Sequence, residues 1–117
     1  MLRVFLVALL ALANAAPPPI RLQVRPLIAQ APTDVHLKIF IERHPDNRRL
    51  DFILDGDRYS RTSSQTLEGE QSPAVFDIWY RAVPCGSYQA AAQLVRADGS
   101  THVARAQVMQ FTGLTCD

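Results

Sequence analysis

The chain has 117 residues, 48% of them hydrophobic and 20% charged, with a formal net charge of +1. That size fits one domain with a modest core. The near-neutral balance gives no global electrostatic reason to bind nucleic acid or an anionic membrane.

The first segment, MLRVFLVALLALANAA, has a positive start at Arg3, an apolar run from Val4 to Leu12, and the small-residue stretch Ala13-Asn14-Ala15. This is the layout of a secretory signal peptide over residues 1–15, cleaved near Ala16 or Pro17. The apolar run falls short of the ~20 residues needed to span a bilayer. No cysteine follows it to carry a lipid anchor, and no second apolar segment provides a membrane span after signal removal. Neither Asn14 nor Asn47 lies in a glycosylation sequon. Of the 12 basic residues 11 are arginine, the usage expected of a GC-rich bacterial genome. The expected location is periplasmic or secreted.

Residues 16–19, ending in PPP, read as a stiff linker. Residues 20–117 then read as one β-domain. IRLQV (20–24) alternates apolar and polar side chains, the mark of a half-buried strand. Pro26 and Pro32 in the next stretch suit an edge strand and a turn. VHLKIFIE (35–42) alternates most cleanly: Val35, Leu37, Ile39 and Ile41 face one way, His36, Lys38, Phe40 and Glu42 the other. RHPDNRR is a loop, followed by LDFILD (50–55), with Leu50, Phe52 and Leu54 on one face. DGD signals a tight turn, and a polar strand runs through Tyr59 and Ser60. TSSQTLEGEQSP (62–73) has no apolar pattern and reads as a mobile loop. VFDIWY (75–80), SYQAAAQLVRA (87–97) and THVARAQVMQF (101–111) are the last three of about seven main strands, with ADGS closing the final hairpin. AAAQLVRA has helical propensity, but the hairpin signal and the flanking strands favour a strand. Regularly spaced short strands in about 100 residues indicate an all-β, antiparallel sandwich.

The segment IWYRAVPCGSY (78–88) resembles the connection between the fifth and sixth strands of immunoglobulin-like and fibronectin type III-like sandwiches, bacterial ones especially. The shared pattern is apolar-x-apolar, two residues, apolar-Pro, then Gly-x-Tyr. The resemblance implies that Ile78, Tyr80 and Val83 point into the core. It further implies a corner at Pro84 and Gly86, with the Tyr88 ring buried and its hydroxyl bonded to backbone upstream. The chain lacks the Cys…Trp…Cys arrangement of antibody domains and has Phe52 where they carry tryptophan, so the likeness is one of architecture, and such folds host many functions.

Folding the last hairpin about Asp98-Gly99 pairs residues whose numbers sum to roughly 197–199, and Cys85 and Cys116 sum to 201. Both cysteines then finish at the same end of the sandwich. In an oxidising compartment this predicts a Cys85–Cys116 disulfide. Redox motifs hold their cysteines closer in sequence.

Little else carries chemistry. His36, His44 and His102 are isolated, and no pair has metal-ligand spacing. A histidine–Met109 copper site, or calcium at DGD with Glu68 and Glu70, is the weaker reading beside a hairpin turn and a solvated loop. The serines of RTSSQ have no nucleophile context, and no phosphate loop is present. No catalytic residue, metal ligand or cofactor is therefore assigned. Two surface features remain. Arg43, Arg48 and Arg49 crowd one loop, at the end of the sandwich shared by 62–73 and 97–100, where binding loops gather. Trp79 faces solvent if Ile78 and Tyr80 face the core, as an interface anchor would; a one-residue slip would bury it instead. The sequence thus reads as an exported, non-enzymatic binding or interaction module of the bacterial envelope or secretome, its partner another envelope protein or a glycan. The alternatives are a structural or stress-protective envelope protein without a ligand site, and a periplasmic metal-binding protein.

Overall fold

A computed structural model describes residues 17–114 and residue 116, so the segment predicted as a signal peptide (1–15) lies outside the described residues. Among the described residues nine strands build two sheets: β1 (Ile20–Arg25), β2 (Ile28–Gln30), β3 (Thr33–Ile41), β4 (Asn47–Gly56), β5 (Ser60–Thr66), β6 (Val75–Val83), β7 (Gly86–Arg96), β8 (Thr101–Arg105) and β9 (Met109–Thr112). A three-stranded sheet runs β1-β3-β6, and a larger one runs β2-β9-β7-β4-β5, with β8 also on β7. All pairs are antiparallel except β2 with β9.

Alternation explains why the sheets stack. In β3 the side chains of Val35, Leu37, Ile39 and Ile41 are buried while the residues between them are not. They meet Leu50, Phe52 and Leu54 of β4, and Tyr88, Ala90, Ala92 and Leu94 of β7, in a single core. Two inner faces of period-two strands, each apolar, can leave water only by packing on one another. The chain changes sheets at both prolines. Pro26 separates β1 in one sheet from β2 in the other, and Pro32 separates β2 from β3.

Three expectations need correction. Residues 62–66 are not loop: Ser60–Thr66 is a strand paired along β4, with every residue exposed on both faces. A strand that buries nothing has no apolar period to betray it. Leu67, beside it, is buried in the core, and a single 3-10 turn (Gly69–Gln71) follows. The polar strand accordingly begins at Ser60, not Tyr59.

The last strand is also two strands, not one. Arg105 pairs with Ala91, and Met109 with Tyr88, so the β8–β9 side advances one residue more than β7. This bulge exchanges the inward parity. His102 and Ala104 face inward before it, Met109 and Phe111 after it, and Val108 is left exposed. The pairing sums are 196 along β8, one below the expected range, and 197 along β9, at its lower limit.

Candidate functional site

The chain end is held at one pole of the sandwich. Cys85, buried at the end of β6, forms a disulfide with Cys116 across a Cα–Cα distance of 5.8 Å. Beside it, Tyr88 is 1% exposed and its hydroxyl donates to the Pro84 carbonyl at 2.8 Å. The ring packs on Phe111, 5.5 Å between centroids, and edge-on to Tyr59 at 6.4 Å. Gly86 sits at φ +144°, a backbone conformation that side chains rarely adopt. Burial pushes the Tyr88 hydroxyl above its usual pKa. An open depression of about 810 Å³ lies at this pole, lined by Ala31, Pro32, Ala82, Pro84 and their neighbours. Among the described residues no ionisable side chain lines it.

The opposite pole carries the arginine loop. Asp46 accepts from the Ala97 amide at 2.8 Å through its backbone carbonyl, and Gly69 abuts the Pro45 carbonyl, so the loops around 43–49, 69–72 and 97–100 do gather there. The arginines do not form a shared cationic site. Arg48 donates to the carbonyls of Pro45 (2.7 Å) and Asn47 (3.0 Å). Arg49 is clamped on Asp51 at 2.9 and 3.1 Å, on the outer face of the larger sheet. Arg43 is exposed. The residue that organises the loop is Asn47, fully buried, which donates to the Glu42 carbonyl (2.9 Å) and accepts from Arg96 Nε (3.1 Å). A lone asparagine in a polar loop gives no sequence signal for that role.

Trp79 lies elsewhere, on the outer face of the three-stranded sheet, 51% exposed. Its inward neighbours Ile78 and Tyr80 pack on or in the core, so the strand is not slipped. Register sets the outward side chains in three rows: Arg25, His36, Trp79; Gln23, Lys38, Asp77; Arg21, Phe40, Val75. The first row stacks the His36 and Trp79 rings at 4.4 Å and 11°. His36 Nε2 in turn donates to Asp77 at 2.8 Å, fixing the imidazole against the indole. Arg81 lies over the Trp79 ring at 4.9 Å and pairs with Asp34 at 3.0 Å. Asp34 also accepts the amide of Ala82, whose φ is +52°. That backbone hydrogen bond, with Arg81 second, holds the Asp34 carboxyl below its usual pKa.

Two cations approach the Phe40 ring, Arg21 at 4.9 Å and Lys38 at 5.6 Å. Both carboxylates of the face are thus engaged, and among the described residues no carboxylate forms an ion pair with Arg21, Arg25 or Lys38. A small cleft of about 130 Å³ opens between Gln23, Arg25, His36 and Lys38. The face therefore combines a fixed, half-exposed tryptophan with a cationic flank. Sequence alternation placed His36, Lys38 and Phe40 on one face and left Trp79 open to a one-residue slip; the cross-strand register set Trp79 outward and joined them.

No protein-family model matches the chain, and no curated protein matches it in sequence. Solved structures do resemble it in fold. A superoxide reductase (neelaredoxin) from Ignicoccus hospitalis superposes with a TM-score of 0.58 at 9% identity, over 80% of each chain. The sulfur carrier protein SoxY from Chlorobium limicola f thiosulfatophilum gives 0.56 at 14%, over 92% of this chain and 96% of that one. The PmoD soluble domain from Methylocystis sp. ATCC 49242 (Rockwell) gives 0.53 at 13%, over 84% and 94%. At these identities the likeness is of a small β-sandwich fold alone. Among the described residues no group of three or more His, Cys, Asp or Glu side chains could hold a metal ion, and no helix is long and apolar enough to cross a membrane.

Proposed function

We propose that this protein is an exported, non-enzymatic interaction module of immunoglobulin-like architecture, and that it binds its partner through the outer face of the three-stranded sheet. The observation that carries the reading is the Trp79–His36 stack, 4.4 Å between rings, standing half-exposed beside Arg25, Lys38 and Arg81. Tryptophan and arginine dominate binding energy at interfaces, and a pre-fixed side chain loses little entropy on binding. The immunoglobulin-like assignment is supported by the Pro84–Tyr88 corner, in which the hydroxyl bonds back to the chain upstream. Export is supported by the signal-like first 15 residues and by the disulfide, which oxidising compartments favour. The partner is an envelope protein or a glycan.

The test compares wild type with Trp79→Ala, both immobilised, against protein and polysaccharide fractions of the native envelope. A saturable partner should be held by wild type and weakened about thirtyfold by Trp79→Ala, the loss of about 2 kcal/mol typical of a central anchor. Equal retention by both forms would place the binding surface elsewhere.

A further inference from the structure

Strand β5 adds nothing to the core. All seven of its residues, Ser60 to Thr66, are exposed, although the strand is paired with β4 along its whole length. It is the last strand of the larger sheet, so among the described residues no strand lies beside its outer edge. Natural edges are usually blunted by proline, a bulge or several charges. Here the sequence SRTSSQT offers one charge, Arg61, and no proline.

The direction of the open hydrogen-bonding groups follows from the ladder. The Leu67 amide donates to the Arg48 carbonyl at 2.8 Å, in the same register that pairs Arg49 with Thr66. In an antiparallel pair, residues that exchange backbone bonds alternate with residues that do not. Arg61, Ser63 and Gln65 therefore turn their amides and carbonyls to β4. Ser60, Thr62, Ser64 and Thr66 turn theirs to the open edge, where the Ser60 carbonyl accepts from Arg61 Nη1 at 2.9 Å.

We propose that this edge joins a second copy of the same chain, β5 against β5, antiparallel about a two-fold axis at Ser63. In that register Thr62 faces Ser64 and Ser60 faces Thr66, so every outward-turned residue meets another outward-turned residue. Arg61 falls opposite Gln65 of the second copy and not opposite its own twin. The single charge on the strand is thus accommodated without like-charge repulsion, and Thr–Ser pairs are favourable cross-strand neighbours. An isologous contact of this kind closes on itself and leaves neither β5 edge open for further growth. The two three-stranded sheets would lie on the same side of the joined sheet. Exposure of β5 on both faces shows that neither reaches over it, which leaves them room. The strand has no apolar side chain with which to select a foreign peptide, which favours self-pairing.

Sedimentation equilibrium of the disulfide-bonded protein tests this. Wild type should show a concentration-dependent monomer–dimer equilibrium. Thr62→Pro removes an outward amide that the β4 ladder does not use, and should give a monomer with an unchanged circular dichroism spectrum. Gln65→Arg sets two arginines face to face in each half of the contact and should weaken the dimer at least about tenfold. Arg61→Glu combined with Gln65→Arg places opposite charges there and should restore it, which keeps the test decisive even if Thr62→Pro fails to fold. A wild type that stays monomeric up to roughly 1 mM, or a dimer indifferent to the charge changes, overturns the proposal.

Discussion

Removing the Tyr88 hydroxyl should destabilise the domain measurably while leaving its packing intact. The ring is 1% exposed, lies 5.5 Å from Phe111, and sits so close to Gly56 that a Cβ there would meet it. The hydroxyl donates to the Pro84 carbonyl at 2.8 Å. Tyr88→Phe keeps the ring and loses that one bond, a cost of about 1 kcal/mol. For a domain of this size such a loss lowers Tm by roughly 4–8 °C. Tyr88→Ala also opens a cavity between the sheets and should cost about 3–5 kcal/mol. That is a large share of the roughly 5–15 kcal/mol typical of a folded domain. Trp79→Ala, which removes a half-exposed ring from the outer face, should cost less than about 1 kcal/mol. Guanidinium unfolding, followed by far-ultraviolet circular dichroism so that loss of the single tryptophan does not remove the signal, gives all three values. If Tyr88→Phe matched wild type, the corner hydrogen bond would contribute nothing. If Trp79→Ala were the most damaging of the three, the assignment of strand faces would be wrong.

Replacing Cys85 and Cys116 together by alanine should lower stability by about 3–4 kcal/mol, the chain-entropy value for a separation of 31 residues; a loss below about 1 kcal/mol would show that the native chain end is held without the bridge. Tyr80 buries a hydroxyl that has no hydrogen-bond partner among the described residues, and burial pushes its pKa up to about 12. Tyr80→Phe should therefore raise stability by about 1 kcal/mol, and a loss on chemical denaturation would reveal a partner for that oxygen. Asn47→Ala removes the bond to the Glu42 carbonyl and the acceptor of Arg96, and should cost about 1–3 kcal/mol in the same assay; a neutral result would show the loop is held by other contacts. Asp34, held below the usual carboxylate range by the Ala82 amide and then by Arg81, binds protons less readily folded than unfolded. Its contribution is present above the unfolded pKa of about 3.9 and is lost as pH falls through the lower folded value. Asp34→Asn should therefore flatten the decline in stability below about pH 4, and an unaltered acid limb would refute the assignment.

Much of the fold was legible in the sequence because alternation is a local record of burial. The pattern Val35, Leu37, Ile39, Ile41 could satisfy only a strand with one buried face, and the structure buries all of them. The hairpin about Asp98-Gly99 brought Cys85 and Cys116 to one pole within a residue or two of the observed register, and a disulfide tolerates that offset because both cysteines lie beyond their strands. For Trp79 the sequence offered an outward orientation, if Ile78 and Tyr80 face the core, and a buried one after a one-residue slip; the structure has the first.

Tertiary structure decided what has no local record. Strand β5 buries nothing, so its hydrogen bonds to β4 leave no trace in hydrophobicity, and Ser-Thr composition reads as loop until a partner strand is known. The bulge between Arg105 and Met109 reverses which residues face inward, and nothing local to 106–108 marks it; the demand comes from Met109 and Phe111, which must reach the core beside Tyr88. The arginines crowded in the sequence at 43–49 separate in space, because local carbonyls and Asp51 occupy two of them. His36 and Trp79, 43 positions apart, become stacked neighbours only through the β3–β6 register. Where apolar alternation runs unbroken, as in β3, the sequence by itself sets which face a side chain takes, since that depends on its own neighbours. Which side chains share a face is set by the pairing of distant strands, and the candidate binding surface is made of such pairs.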